Sequence, residues 1–329
     1  MAISHNDLFY AKVMLFGEYS IITGSMGLTI PFSHFNGQLS FVNQNSYTDL
    51  DFAETSNTHL QDYVTYLEEQ VKTAPLPIDL NALKRDVQNG IFFESTIPES
   101  YGLGSSGALV AAIYNRYAIN KTPPDPFMEN TRLLALKRDL SSLESYFHGT
   151  SSGIDPLICY LNHPLCIQNE QSIVPVQLPL WKIDTKDAIF LLNTGTPGKT
   201  APLVQQFMRK MEDGKFANMF RHEYTPLVNK CISALVNGQV TDFFALLKQL
   251  SQWQGIHFEP MIPKNVQTSW IEGLETDLFT LKLCGSGGGG YVLGFTKNYE
   301  NTRLYFKTLQ KDVIPVYQVA THNTPEPLV

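Results

Sequence analysis

The chain has 329 residues, 43% of them hydrophobic and 17% charged, with a net charge of −7 and four cysteines. That length accommodates a large core and about two domains, and an acidic balance without any Lys/Arg cluster argues against a phosphate-tracking nucleic-acid surface. No apolar run is long enough for a membrane span, residues 1–7 lack the basic start and apolar run of a secretory signal, and Cys159, Cys166, Cys231 and Cys284 lack CxxC or zinc spacing, which suits a reducing cytoplasm.

In chain order, apolar runs predict strands at Lys12–Phe16, Gly27–Phe32, Gln38–Val42 and Ile91–Ile97. Leu60, Val64, Leu67 and Val71 recur at helical spacing and predict an amphipathic helix over Thr58–Thr73. A second helix is expected from Ser106 to Ala118. Pro123, Pro124 and Pro126 then break the chain before a third, over Glu129–Phe147. In that third helix Leu133, Leu136, Leu140, Leu143 and Phe147 form a stripe, and Glu144 lies beside it rather than on the opposite face. Such a glutamate is expected to point into a site at the edge of the core.

Strand-like stretches follow at Leu157–Leu161, Ile173–Leu178 and Ala188–Leu192. Helical patterns then dominate from Thr200 to Gln254, with breaks expected near Gly214, Gly238 and Gly255. A hairpin-like pair around a glycine run, a helix near Asn301–Leu309 and a strand over Val313–Val319 complete the chain. The change from strand-rich to helix-rich composition predicts a boundary near residue 183, giving domains 1–183 and 184–329.

Three glycine-marked segments carry the chemistry: Lys12 to Tyr19, Pro98 to Ala108, and Cys284 to Gly290. In the second, a strand ends at Pro98, passes through Gly102-Leu103-Gly104 and opens a helix at Ser105-Ser106-Gly107. Such a turn aims backbone N–H groups and the positive end of a helix at one point, where an anion such as a triphosphate is stabilised. Gly102 and Gly104 let the backbone approach phosphates closely. Ser105 and Ser106 can cap the helix, and one hydroxyl can also reach a bound Mg²⁺. The segment lacks the Gly-Lys-Ser/Thr ending of a Walker A loop and the spacing of a dinucleotide fingerprint.

Glu144 and Asp155 are eleven residues apart, separated by a helix end at His148-Gly149 and a small-residue loop. From opposite sides of a cleft, one carboxylate can hold Mg²⁺ while the other orients a substrate hydroxyl or accepts its proton. Lys12 can place its ammonium against a substrate carboxylate or a transferring phosphoryl, although a lone strand-end lysine is more often simply solvated. Five glycines over Gly285–Gly290 exceed what a hairpin needs and argue for backbone contact with a ligand. Asn193–Thr200 lies between a strand and a helix, with Thr200 resembling an N-cap and Thr196 or Lys199 able to face a substrate.

In order and spacing these segments resemble the motifs of the GHMP kinases. Glu144, His148-Gly149, Ser152-Gly153 and Asp155 are similar to the mevalonate kinase pattern E-x-x-x-H-G-x-x-S-G-x-D within that family. The resemblance implies an α+β, two-domain GHMP kinase-like fold, with ATP in the cleft between domains and Mg²⁺ as cofactor. It implies Asp155 and Lys12 as the catalytic pair, Gly102, Leu103, Gly104, Ser105, Ser106 and Gly107 around the nucleotide, and Glu144 with Ser106 (or Ser105) on the metal. Glu18, Tyr19, His148, Ser152, Thr200 and Gly287 would face the substrate. The implied partner is a small-molecule alcohol, with a homodimer left open. Tyr19 stands where mevalonate kinases usually carry histidine and Gly107 where they often carry alanine. Both features are similar to phosphomevalonate kinases, and Cys284 replaces the usual threonine of the third motif. Mevalonate is therefore the expected acceptor and phosphomevalonate the alternative, with a catalytically silent sensor as the rival from another class.

Overall fold

The computed structural model describes residues 8–42, 49–178, 186–198 and 200–316. The first half is built on strand β1 (Phe9–Phe16), strand β2 (Gly27–Phe41), helices α1 (Leu50–Gln70) and α2 (Leu80–Gln88), and strand β3 (Ile91–Ser95). Helices α3 (Ser105–Tyr117), α4 (Asn130–His148) and α5 (Ile154–Leu161) and the hairpin β4 (Leu165–Asn169)–β5 (Ser172–Pro175) follow. The five strands form one antiparallel sheet in which β2 is long enough to pair with β1, β3 and β4.

Strand β2 replaces the two separate strands expected at Gly27–Phe32 and Gln38–Val42. The polar interruption between them is accommodated by a bulge: Asn36 pairs with Tyr10 and Phe32 with Ala11, so residues 33–35 have no counterpart on β1.

Leu157–Leu161, expected as a strand, is instead part of α5, all of whose residues except Asp155 are buried. A short, continuously apolar run cannot be told from a buried helix by periodicity. The deciding signals lie upstream: Gly153 is left-handed (φ 72°) at the N-cap, Asp155 sits in the first turn, and Pro156 occupies a first-turn position where its missing N–H costs little. Helix α2, strand β4 and helix α10 (Lys264–Thr276) were not expected. The Asp79 side chain that caps α2, with Leu83 and Val87 buried below it, was a legible signal.

The second half places β7 (Thr280–Leu283), β8 (Tyr291–Thr296), β6 (Ala188–Asn193) and β9 (Val313–Val316) in a four-stranded antiparallel sheet in that order. Its helices are α6 (Thr200–Glu212), α7 (Gly214–Met219), α8 (Thr225–Val236), α9 (Val240–His257), α10 and α11 (Tyr299–Thr308). A π-helical turn, Phe220–Tyr224, joins α7 to α8. Helix α9 ends at His257, two residues past Gly255, close to the break expected there. The boundary expected near residue 183 and the end of the strand expected over Val313–Val319 fall outside the described residues. Among those described, no helix is long and apolar enough to cross a membrane.

Candidate active site

Strand β1 carries Lys12 inward beneath the turn that starts α3. The Lys12 amide donates to the Leu103 carbonyl at 2.9 Å. Its side-chain stem lies so close to Gly104 that a Cβ there would stand 2.8 Å from Lys12 Cγ. The absence of a side chain at Gly104 therefore makes room for the lysine as well as for the left-handed turn (φ 75°). The Lys12 ammonium meets Asp155 Oδ2 at 2.9 Å, with the lysine 8% and the aspartate 30% exposed. Burial alone would lower the Lys12 pKa; the charge and hydrogen bond of Asp155, with smaller contributions from the Cys284 and Cys159 thiols, leave it raised.

Asp155 reaches this point because α5 packs tightly on α3. A Cβ on Gly107 would lie 2.8 Å from the Asp155 carbonyl carbon and 2.9 Å from Pro156 N. Glu144, on the last turns of α4, is 3% exposed. Its carboxylate accepts from Ser106 Oγ at 3.4 Å and, more closely, from Ser151 Oγ. Burial, reinforced by the nearby Asp155 charge and offset by Ser151, Lys12 and Ser106, pushes its pKa up to about 7. Thus Lys12, Asp155, Glu144 and Ser106 come together around the start of α3, and Ser106 rather than Ser105 faces Glu144.

The serine pair does not cap α3 as expected. Gly104 is the N-cap residue, and no side chain caps that end. Helix α4 ends as expected at Gly149, in a positive-φ conformation (φ 73°). Ser151, which the sequence reading passed over, spans the loop: its backbone carbonyl accepts from Ser141 and its hydroxyl donates to Glu144. Ser152 is exposed, with its hydroxyl accepting from the Ile154 amide. The side chains of His148 and Thr200, and Lys199 altogether, lie outside the described residues.

Two expected substrate residues are placed differently. Glu18 is fully buried, paired at 2.6 Å with Lys282 on β7 and bonded to Gln254 on α9, so its carboxylate lies in the interior. Gly287 is buried under the Met261 carbonyl, which a Cβ would approach to 2.4 Å. Most of the glycine-rich run is set by close packing within the chain, although a Cβ on Gly285 would meet nothing within 4 Å. Gly290 lies against Tyr101, Gly289 against Pro197, and the Gly288 amide donates to Met261 O at 2.6 Å. Tyr19 bridges the two halves: its hydroxyl donates to Ser286 O at 2.6 Å and its ring packs on Phe207 and Phe258.

Residues 64–163 match the profile of the GHMP kinases N terminal domain, a stretch that holds the α3 loop, Glu144 and Asp155. Over that stretch the chain carries a GHMP kinase N-terminal domain. Its fold is similar to that of L. major mevalonate kinase in complex with R-mevalonate (TM-score 0.60, 16% identity, 96% of each chain covered). Streptococcus pneumoniae phosphomevalonate kinase in complex with phosphomevalonate and AMPPNP is similar too (TM-score 0.58, 16% identity, 94% of this chain and 99% of that one). So is Lactococcus lactis galactokinase complexed with galactose (TM-score 0.61, 14% identity, 95% and 93% covered). No curated protein sequence matches the chain. The GHMP kinases are small-molecule phosphotransferases that use ATP, and the α+β fold expected from the motifs is the one observed.

Proposed function

We propose that the protein is an ATP-dependent kinase that phosphorylates the primary hydroxyl of mevalonate. The observation that carries this reading is the Lys12–Asp155 pair, held at 2.9 Å beside the N-terminus of α3, where Gly104 is the N-cap and no side-chain cap hydrogen bond forms. In it the amides of the α3 turn and Gly102–Gly104 receive the β- and γ-phosphates. Asp155, partly exposed where Lys12 is not, orients the acceptor hydroxyl and takes its proton. Lys12 stabilises the charge that develops on the transferring group. Domains 1–183 and 184–329 flank the cleft in this reading.

Magnesium fits the residues present. A buried carboxylate and a hydroxyl, Glu144 and Ser106, are hard oxygen donors aimed at one point, and Glu144's raised pKa marks an anion that a cation would stabilise. Among the described residues no group of three or more His, Cys, Asp or Glu could form a complete protein cage. Two donors suit an ion that retains waters and phosphate ligands. Bound there, it would neutralise phosphate charge.

Gly107 and Tyr19, the positions that resemble phosphomevalonate kinases, have structural roles that do not depend on the acceptor. Gly107 admits α5 against α3, and Tyr19 ties the halves together. The discriminating experiment is ADP release with ATP and Mg²⁺ across mevalonate, phosphomevalonate, sugars and amino alcohols. Turnover on mevalonate is expected. Turnover confined to another acceptor would overturn the substrate assignment, and nucleotide binding without ADP on any acceptor would favour a sensor.

A further inference from the structure

A buried polar network outside the Lys12–Asp155 site links three elements of the second half to the turn after β1. Lys282 is wholly buried and its ammonium is shared between Glu18 Oε1 and the Leu283 carbonyl, both at 2.6 Å, while lying 5.2 Å from the Phe16 ring centroid. Gln254 donates to Glu18 Oε1 at 2.9 Å and to the Tyr224 hydroxyl at 2.7 Å, and it accepts from the Leu283 amide at 2.9 Å. Tyr224 is delivered by the π-helical turn, a distortion often found at functional sites. Burial pushes the Glu18 pKa up against the pull of Lys282. A fully desolvated ion pair is weak evidence of a stabilising role, and groups kept in this way call for another explanation.

The explanation lies in what the network grips. Both backbone polar groups of Leu283 are held by it, immediately before the Cys284–Gly290 run. On the other side Glu18 is followed by Tyr19, a non-glycine residue at φ 62° whose hydroxyl holds Ser286 O. The run then packs on the nucleotide loop, with Gly290 against the Tyr101 backbone and the Cys284 carbonyl opposite Gly102. The contacts form a continuous path from Glu18 through Lys282 and Gln254 to the glycine run and on to the loop that opens α3.

We infer that Lys282 and Gln254 are positioning residues for phosphoryl transfer. By clamping Glu18 they hold the glycine run, and with it the second-half wall of the cleft, in register with the α3 loop. The inference rests on the kinase reading for its catalytic consequence, while its structural consequence stands independently. It differs from a purely stabilising role because removing both charges together relieves the desolvation cost without restoring the grip on Leu283 and Glu18.

The test compares the wild type, Lys282→Met, the double variant Glu18→Gln/Lys282→Met, and Gln254→Leu. Steady-state kinetics, thermal melting and amide hydrogen exchange are measured on the full chain. Lys282→Met is expected to melt well below the wild type, and the double variant to recover most of that loss. The double variant should still show kcat reduced about tenfold or more with KM for ATP nearly unchanged, because the α3 loop itself is intact. Exchange at Cys284–Gly290 should be faster by about tenfold, with the helical amides of α1 unchanged. Gln254→Leu should show the same exchange pattern and kcat loss without leaving a charge unpaired, which guards against Lys282→Met failing to fold. A double variant with recovered melting, wild-type kcat and wild-type exchange would overturn the inference. If the wild type turns over no acceptor, the kinase reading fails, and unchanged exchange at Cys284–Gly290 would still overturn the positioning role.

Discussion

Gly107→Ala is the most direct probe of how the fold places Asp155. The added methyl would lie 2.8 Å from the Asp155 carbonyl carbon, 2.9 Å from Pro156 N and 3.1 Å from Asp155 Cβ. The two closest are backbone atoms, and Pro156 prevents the segment from rotating freely away. Ordinary carbon contacts lie at about 3.5–4.0 Å, so α5 must retreat from α3 by roughly 0.7 Å or more. Overpacking of this kind costs about 1–3 kcal/mol, against a helix-propensity gain for alanine of at most about 1 kcal/mol. The clash wins, and the expected fall in Tm is up to a few degrees, at roughly 1.5 °C per kcal/mol for a chain of this length. The larger effect is on catalysis: Asp155 moves relative to Lys12, and a displacement near 1 Å can reduce turnover about a hundredfold. The assay pairs thermal melting with kcat and KM, using Gly214→Ala as control, since a Cβ there meets nothing within 4 Å. The control should be neutral or slightly stabilising. A Gly107→Ala protein with wild-type Tm and kcat would refute the close α3–α5 contact as the device that sets Asp155.

The raised Glu144 pKa makes a signed prediction about the metal-free protein. In the folded chain Glu144 binds its proton up to about pH 7, whereas the unfolded chain releases it near the ordinary value of 4.5. Its contribution to stability is therefore fully present below about pH 4.5 and is lost as pH rises through about 7. At about 1.4 kcal/mol per pH unit the whole difference is about 3 kcal/mol. The Tm difference between wild type and Glu144→Gln should move against the wild type between pH 5 and 8, and a difference that stays flat would refute the assignment. Asp155→Asn should lower kcat at least a hundredfold while leaving the affinity for an ATP analogue within a few-fold. Near-normal turnover in that variant would remove Asp155 from the proposed role.

Much of the α3 loop site was legible because local sequence dictates local geometry there. Glycines at 102 and 104 permit the tight turn, and both adopt positive φ. The stripe on α4 set Glu144 at the core edge, where it is buried against two hydroxyls. Other features were hidden by the limits of periodicity. An octet buried at every position but Asp155, such as α5, carries little periodicity to read. The excess glycine between β7 and β8 looked like freedom for a ligand, yet it answers to Met261, Pro197 and Tyr101, residues far away in the chain.

By itself the sequence determined the glycine-marked motifs, the strand–loop–helix around Gly102–Gly104, and the residue types that the proposed chemistry would use, because each depends on neighbours within a few positions. The tertiary structure alone decided which of those residues meet. It put Lys12 on Asp155 across 143 positions by docking α5 onto α3 through Gly107. It also turned Glu18 inward to Lys282, 264 positions away, because a carboxylate left without water must find a cation, and only the packed fold brings one to it.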